Sequence, residues 1–228
     1  MKVFLPIKEH SERIPAKNFK PLRGIPLYLW ILSSILEVPS VTEVCIDTDS
    51  ENDELWALDS HPRVQVKERS KNLIGDHVSM NLLIEDYVRH FNESEEILMT
   101  HVTNPFLTSR TIASAIQHFS EVKEHGFDSI FSVTRFQGRF YDENLFPINH
   151  NPRELHRTQD LSPVYLENSC YYIFTKRSFL GSQSRIGLRP KESLTFGIES
   201  HDIDTPEDWI MAELFAQTLS SLPRIPTC

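Results

Sequence analysis

Apolar and polar positions follow two alternating periods along the first 135 residues of the chain. Short apolar runs, typical of buried strands, alternate with segments whose apolar residues recur every three or four positions, as in amphipathic helices. The predicted strands are Lys2–Ile7, Glu43–Asp47, Arg63–Lys67, Glu96–His101 and Ser129–Thr134. The predicted helices are Leu27–Leu36, Asn52–Leu58, Ser79–Phe91 and a segment with Ile112, Ala115, Ile116, Phe119 and Val122 on its inner face. This alternation predicts an α/β fold with a mixed, mostly parallel sheet flanked by helices.

Residues 135–168 break the pattern. They are rich in arginine, asparagine, proline and aromatic residues and show no helical period. Such a stretch is too long for a plain loop, so we predict an excursion that serves as a lid or an oligomerisation arm. Beyond it, Tyr171–Phe174 is predicted to return to the sheet, Leu194–Glu199 to be extended and Pro206–Leu219 to form the last helix. No linker divides the chain, and we predict a single domain over residues 1–228.

Composition and charge narrow the class of protein. Hydrophobic residues make up 39% and charged residues 24% of the chain, as in ordinary globular proteins. The net charge of -9 argues against non-specific binding to nucleic acid. No apolar run approaches the roughly 20 residues that cross a bilayer, and no signal peptide is evident. Cys45, Cys170 and Cys228 are too widely spaced to predict disulfides or a zinc site. We therefore expect a cytoplasmic protein without nucleic-acid or membrane partners.

The segment after the first predicted strand is strongly basic. Residues 8–23 contain five lysines and arginines against two glutamates. In an α/β fold, the carboxyl end of a strand is where anionic ligands bind. This loop has no glycine before Gly24, which excludes a P-loop and a dinucleotide fingerprint. The side chains of Lys8, Arg13 and Lys17 are therefore predicted to bind a nucleotide phosphate, the alternative being a solvated basic loop.

Six short motifs lie in order along nearly the whole chain. They are Pro6-Ile-Lys8 with Ser11–Asn18 and Lys20-Pro-Leu22; Asp47-Thr-Asp49; Arg69 with Asp76; Thr103–Thr108; Gln159–Tyr165 with Glu167-Asn168; and Asp202–Asp208. In this order they resemble the motifs of the cytidylyltransferases that activate acylneuraminates. The resemblance implies a Rossmann-like nucleotidyltransferase fold of the glycosyltransferase-A-like kind. It also implies transfer of CMP from CTP to a nonulosonic, sialic-acid-like sugar, with release of pyrophosphate.

The last motif contains two aspartates that suit a metal ion. In an extended segment, alternate side chains point to the same face, so Asp202 and Asp204 can share one ion. Mg²⁺ prefers oxygen ligands and retains waters, which two carboxylates and triphosphate oxygens satisfy. The alternative is that the aspartates and Thr205 only cap the last helix, with Pro206 at its first position. We predict a site for Mg²⁺.

The resemblance also implies roles for individual residues. The implied catalytic residues are Lys17, Asp202 and Asp204, with Lys17 stabilising triphosphate charge. The implied nucleotide-binding residues are Lys8, Arg13, Lys17, Asn18, Arg69 and Ser79, and the implied sugar-binding residues are His101, Arg157, Gln159 and Asn168. Alternatives are a surface salt bridge for Arg69, and a base or a packing residue for His101. The resemblance further implies a homodimer in which residues 135–168 complete the partner's sugar site, the alternative being a self-contained lid.

Several positions depart from the family pattern. Glu9-His10 replaces a glycine pair, and Glu9 would repel a triphosphate unless it points away. Leu107 and Leu166 stand where arginines are common, and Ser169 replaces a glycine. We therefore predict either an acidic or modified sugar other than N-acetylneuraminate or a divergent member with weak activity. Arg139 and Arg157 are the candidates for contacting the sugar carboxylate. Two alternatives stay open: a nucleotidyltransferase for another sugar, such as an octulosonate, or another nucleotide, and a non-catalytic nucleotide-sugar-binding relative.

Overall fold

Seven strands form one sheet in the computed structural model, which describes residues 1–219 and 221–223. The strands are β1 (Lys2–Ile7), β4 (Glu43–Thr48), β5 (Val64–Glu68), β6 (Glu96–Thr100), β7 (Ser129–Phe136), β8 (Val164–Thr175) and β9 (Pro190–Leu194), and β2 (Pro21–Leu22) and β3 (Ile25–Pro26) form a separate pair. The helices are α1 (Leu27–Leu36), α2 (Asp53–Ala57), α3 (Met80–Val88), α4 (Ser109–Glu124), α5 (Lys176–Ser182) and α6 (Pro206–Thr218). Short 3₁₀ turns lie at Leu58–Ser60, Lys71–Leu73, Thr158–Asp160 and Gly197–Ser200.

The strand order is β5-β4-β1-β6-β8-β7-β9, and only β8 runs against its neighbours. The predicted mixed, mostly parallel sheet is therefore confirmed. β1 and α1 have the predicted bounds. The extended segment predicted at Leu194–Glu199 is wrong, because the strand is Pro190–Leu194 and a 3₁₀ turn follows at Gly197–Ser200. β9 is an edge strand of polar sequence, so it lacks the apolar alternation that would have revealed it.

The sheet also takes up both ends of the predicted 135–168 excursion. β7 continues to Phe136 and β8 begins at Val164, and these two residues are paired across the strands. The irregular part is therefore residues 137–163, here called the β7–β8 loop. Five of its large apolar residues are more than 45% exposed: Tyr141, Leu145, Phe146, Ile148 and Leu155.

The core lies on both faces of the sheet. Along β1, Val3 and Leu5 pack into one apolar cluster and Phe4 into another, as expected for a central strand buried on both sides. Phe4 stacks on Tyr87 of α3 with ring centroids 4.5 Å apart. The carboxyl ends of the parallel strands therefore meet at one fixed edge. The described thiols of Cys45 and Cys170 are free and buried, while Cys228 lies outside the described residues. No helix in residues 1–219 combines the length and apolar character needed to cross a membrane.

Candidate active site

A pocket of about 320 Å³ opens where β1, β5 and β6 end. Each of these strands is followed directly by a wall residue: Lys8, Arg69 and His101, respectively. The remaining walls come from the basic loop, from the segment before α3 and from the last motif. The full lining is Pro6, Lys8, Ser11, Glu12, Arg13, Lys17, Asn18, Arg69, Leu73, Gly75, Asp76, Val78, Met80, Leu83, His101, Val102, Thr103 and Asp204. The pocket therefore lies where ligands bind in open α/β sheets.

Lys17 and Arg13 flank one carboxylate in this pocket. The Lys17 ammonium donates to the Ile203 carbonyl at 2.5 Å and lies 3.2 Å from Asp204 Oδ1. A guanidinium nitrogen of Arg13 lies 3.5 Å from the same oxygen. Lys17 is only 9% exposed, so its ammonium is held in place, whereas Arg13 reaches solvent. Two cations and a carboxylate from opposite ends of the sequence thus meet at one wall.

Lys8 is paired with a residue that was not predicted to bind it. Its ammonium lies 2.8 Å from Asp76 Oδ1, and His10 Nδ1 lies 3.2 Å from the other carboxylate oxygen. The hydrogen bond from Lys8 is the main reason why the pKa of Asp76 is lowered. A triphosphate at Lys8 would therefore compete with Asp76.

Glu9 does not line this pocket. Its backbone N–H donates to Asp49 Oδ1 at 2.8 Å, and the residue lines a separate concave surface with Asp49, Glu51 and Asn52. The position of Glu9 outside the pocket thus reduces the repulsion that its carboxylate would exert on a bound triphosphate. Asp49 thus fixes the backbone of the basic loop, whereas the N-cap of α2 is Asn52, whose side chain accepts from the Leu55 N–H.

Two of the predicted nucleotide-binding residues also hold the pocket together. The Asn18 amide donates to the Lys8 carbonyl at 2.8 Å and fixes the loop backbone. Arg69 donates through Nε to Asp47 Oδ1 at 2.5 Å and through Nη2 to the Asp47 carbonyl at 2.8 Å. Arg69 is 5% exposed, so the alternative of a surface salt bridge is wrong. Both residues line the pocket, and their polar atoms also stabilise its walls.

Ser79 has a different place from the one implied. It is the N-cap of α3, and its hydroxyl accepts from the Asn81 N–H at 3.3 Å. Its neighbours Val78 and Met80 line the pocket, whereas Ser79 does not. The reason is that the cap turns the serine hydroxyl back toward the helix backbone.

Asp202 and Asp204 of the last motif are not the helix cap. Thr205 and Asp208 form the capping box of α6, which makes the capping alternative wrong for Asp202 and Asp204. Asp202 Oδ1 is buried and has no hydrogen-bond partner in the described part of the chain. Burial raises the pKa of Asp202, and the Asp204 carboxylate raises it further, whereas a hydrogen bond from Thr103 lowers it.

This pair fits a divalent cation. A buried, unpaired carboxylate oxygen beside a second carboxylate is costly unless a positive charge is present. Within the described residues, no three Asp, Glu, His or Cys side chains converge on one point. Asp202 and Asp204 would therefore supply two ligands, and triphosphate oxygens and water would complete an Mg²⁺ shell.

Asp202→Asn is expected to stabilise the protein without Mg²⁺ by about 1 kcal/mol, which is about 2–4 °C in Tm. The pKa of Asp202 is higher in the folded state than in the unfolded state, so ionisation of Asp202 destabilises the wild-type fold as the pH rises between these two pKa values. The stability advantage of Asp202→Asn should therefore grow over this pH range and stay constant above it. Thermal unfolding at several pH values, with and without Mg²⁺, checks this. A lower Tm for the variant at neutral pH without Mg²⁺ would contradict it.

His101 lines the pocket, and its imidazole is uncharged at neutral pH. Burial, followed by the Arg185 guanidinium, lowers the pKa of His101 to about 3. Arg185 Nη1 lies 3.2 Å from His101 Nε2, and because arginine only donates, Nε2 accepts and the proton is on Nδ1. With its acceptor nitrogen engaged, His101 is poorly suited to act as a base.

His101→Gln is therefore expected to leave the pH dependence of kcat/KM unchanged between about pH 5 and 8, because the neutral imidazole does not titrate there. Steady-state kinetics of both proteins across this range provide the measurement. A wild-type step near pH 6.5 that disappears in the variant would show that His101 changes its charge during turnover.

The other three implied sugar-binding residues do not line the pocket of their own chain. Arg157 pairs with Asp160 at 2.8 and 3.1 Å, and Gln159 is exposed beside it in the β7–β8 loop. Asn168 is 6% exposed, and its amide lies 2.9 Å from the Thr134 hydroxyl and 2.6 Å from that of Thr195. Asn168 thus links β8 to Thr134 of β7 and to Thr195, which directly follows β9. Of the four, only His101 reaches the pocket.

Ser169 adopts a backbone conformation that favours glycine, the residue that the family pattern has at this position. Its φ of 59° lies in the left-handed region, which glycine adopts freely and other residues adopt at a cost. The register between β7 and β8 shifts close to this point, between Phe131 and Val133. The substitution is therefore compatible with an unchanged chain path.

Sequence reasoning missed a cluster beside His101, made of Arg185, Tyr172 and Glu167. Arg139, named as a possible carboxylate contact, instead donates to the His156 carbonyl at 2.6 Å within the β7–β8 loop. No motif marked Arg185, which follows α5 in an irregular segment and lies 84 residues from His101. Only the three-dimensional structure brings these residues together.

The fold and the pocket define an α/β protein whose sheet edge carries a pocket lined by lysine and arginine side chains, with Asp204 on its wall. The family model described as "Cytidylyltransferase" matches residues 4–217, and the chain belongs to this family. The chain is 28% identical over 217 residues to N-acylneuraminate cytidylyltransferase A of Danio rerio, covering 89% of this chain and 47% of that protein. It thus spans about half the length of this relative.

Two further similarities come from a shorter relative and a solved structure. CMP-N,N'-diacetyllegionaminic acid synthase of Legionella pneumophila is 26% identical over 226 residues, covering 92% of this chain and 93% of that protein. A CMP:2-keto-3-deoxy-manno-octonic acid synthetase complexed with CTP has the same fold, with a TM-score of 0.65 and 15% identity over 95% of this chain and 98% of that one. This structural likeness supports the nucleotidyltransferase fold predicted from the motifs.

Proposed function

We propose that the chain transfers CMP from CTP to a nonulosonic acid and releases pyrophosphate. The observation that carries this is the contact of Lys17 with Asp204, 3.2 Å apart on the wall of a pocket that Arg13 and Lys8 also line. Cations and a carboxylate at one point suit a metal-bound triphosphate. The names of the relatives from Danio rerio and Legionella pneumophila support a cytidine nucleotide and an acidic sugar.

In this reaction a sugar hydroxyl oxygen forms a bond to the α-phosphorus of CTP. The bond from that phosphorus to the bridging oxygen breaks, pyrophosphate carries away its electron pair, and the hydroxyl proton passes to solvent. Asp202 and Asp204 would hold Mg²⁺, which when bound supplies positive charge to phosphate oxygens. Lys17 and Arg13 stabilise the charge that grows on the leaving pyrophosphate.

The test combines CTP, Mg²⁺ and a panel of acidic sugars, with release of pyrophosphate as the readout. The panel contains N-acetylneuraminic acid, N,N'-diacetyllegionaminic acid and 2-keto-3-deoxy-manno-octonic acid. Thermal shifts with CTP, UTP, GTP and ATP identify the nucleotide, because only the true ligand should stabilise the fold markedly. Turnover with UTP instead of CTP would favour the other nucleotidyltransferases, and tight CTP binding without turnover with any sugar would favour a non-catalytic relative.

We also propose that the protein is a homodimer whose β7–β8 loop contacts the partner. The loop exposes apolar residues, including Phe146, and carries Arg157 and Gln159 outside the pocket of its own chain. Such a patch is typical of an interface. In a dimer, these two polar residues would reach the sugar side of the partner's pocket.

Phe146→Glu is accordingly expected to convert a dimer into a monomer in light scattering, because it places a charge within the proposed interface. The matched control is Phe196→Glu, since Phe196 is 70% exposed beyond β9 and Phe146 is 67% exposed in the loop. A monomeric wild-type protein, or equal dissociation of both variants, would contradict this interface.

A further inference from the structure

The guanidinium of Arg185 is held in a fixed position beside the pocket. Its carbon lies 3.7 Å above the ring centroid of Tyr172, and Nη2 donates to the Tyr172 hydroxyl at 2.8 Å. Nη1 donates to His101 Nε2, and Nη2 also reaches Glu167 Oε1 at 3.2 Å. The side chain is 20% exposed, so it retains access to solvent. Stacking and hydrogen bonds thus fix the plane of the guanidinium before any ligand binds.

This cation lies next to the reacting end of the pocket. His101, which contacts Arg185, is a wall residue, and Lys17 and Asp204 are close enough to act on His101 electrostatically. The pocket of about 320 Å³ is at the small end for a ligand site. A nucleotide would fill most of it, which leaves the second substrate to extend past His101 toward Arg185, which lies directly behind it.

Glu167 shows which chemical group Arg185 is suited to bind. Its carboxylate contacts both the Arg185 guanidinium and the Tyr172 hydroxyl. This side chain is 39% exposed, and an ion pair that reaches solvent is weak and easily exchanged. In contrast, Arg69 is buried against Asp47, and Arg13, beside Asp204, is assigned to the triphosphate in the proposed function. Arg185 is therefore an arginine beside the site whose partner a ligand carboxylate can replace.

We propose that Arg185 binds the carboxylate of the sugar substrate, and that Glu167 occupies the guanidinium until the sugar arrives. The inference rests on the proposed function and adds a specificity-determining residue to it. A guanidinium binds a carboxylate through two parallel N–H···O bonds, a geometry that a neutral ester cannot match. Tyr172 and His101 keep the guanidinium oriented during the exchange.

The experiment compares four proteins: wild type, Arg185→Gln, Glu167→Gln and Arg177→Gln. Arg177 is the matched control, because it is an exposed arginine paired with Glu93 at 3.0 Å on the surface. Calorimetric titrations in the presence of CTP use N-acetylneuraminic acid, N,N'-diacetyllegionaminic acid and the methyl ester of each. Circular dichroism and Tm confirm that each variant is folded, and pyrophosphate release is measured separately.

The expected result is that wild type prefers an acid to its ester by about tenfold or more, and that Arg185→Gln loses this preference. KM for the sugar should rise by a similar factor in this variant, while KM for CTP stays the same. Glu167→Gln should bind the acid as tightly as wild type or more tightly, since the competing charge is gone. Arg177→Gln should resemble wild type.

Three results would overturn the role of Arg185: equal loss of acid and ester binding in Arg185→Gln, weaker acid binding in Glu167→Gln, or no preference for the acids in wild type. The first of these would make Arg185 a positioning residue for His101. The two proposals can be distinguished. If wild type binds the acid, this binding depends on Arg185 and no pyrophosphate is released, the role of Arg185 is supported and the proposed cytidylyl transfer is wrong.

Discussion

Asp204→Asn is expected to lower kcat for CMP-sugar formation by about 1,000-fold or more, because it removes one of the two carboxylates that would hold Mg²⁺. The residue is half-exposed and lies on the pocket wall, so its contribution to the fold is small. Its side chain is within 4 Å of Lys17 and Arg13, which would lose their counter-charge along with the metal. The amide keeps the shape but not the charge.

The control for this variant is Glu207→Gln, which changes an exposed acidic residue in the first turn of α6. Both variants should unfold within a few degrees of wild type. Initial rates at saturating CTP, measured across an Mg²⁺ titration, provide the readout. If Asp204→Asn retained more than about a tenth of the wild-type rate at the same Mg²⁺ midpoint, Asp204 would not be a metal ligand.

Lys17→Met is expected to lower kcat/KM for CTP by about 100- to 1,000-fold, the range typical for removal of one preorganised charge-stabilising group. Lys17 is almost fully buried, and the Ile203 carbonyl and Asp204 hold its ammonium at one point. A cation that is already fixed needs little reorganisation when charge develops on the leaving pyrophosphate. Methionine is close in length and apolar, so it should fill the same space.

Lys20→Met tests whether any lysine of this loop would have the same effect. Lys20 lies in the same segment, but its ammonium stacks over the Trp209 ring at 4.0 Å and does not line the pocket. Its loss should leave kcat/KM within about threefold of wild type, since a cation–π contact contributes to packing and not to the reaction. Equal losses in both variants would indicate a general effect of loop charge.

The parts of the site that could be predicted from sequence are those close to strand ends. Topology places Lys8 directly after β1 and His101 directly after β6, so the strand pattern alone brings them to one edge. Asp204 is predicted from its motif, and the contact between Lys17 and the last motif places Asp204 on the pocket wall beside Lys17. For Lys8 and His101, the local strand pattern is sufficient to predict their position.

Pairs that are distant in sequence and lack a motif were not predictable. Lys8 meets Asp76 across 68 residues, and His101 meets Arg185 across 84. The choice of partner is made by packing of the loops that follow β5 and α5, and neither loop has a periodic pattern. The same limit applies to Asn168: its motif implies a sugar contact, whereas the sheet buries its amide against two hydroxyls.

The basic loop is held by several contacts although it lacks the glycines of the family pattern. At the position where the resemblance implies a glycine pair, the Glu9 backbone N–H donates to Asp49 and His10 pairs with Asp76. Asn18 ties the loop to the Lys8 carbonyl. These contacts thus stabilise the conformation of the loop without the backbone freedom that glycines would give it.

The most direct test of the proposed activity is mass spectrometry of a reaction that contains the protein, CTP, Mg²⁺ and the panel of three acidic sugars. The prediction is a CMP-sugar formed in equal amount with pyrophosphate, and no such product with Asp204→Asn. A folded wild-type protein that leaves CTP intact with every sugar, or that forms a product from UTP and not from CTP, would contradict the proposed function.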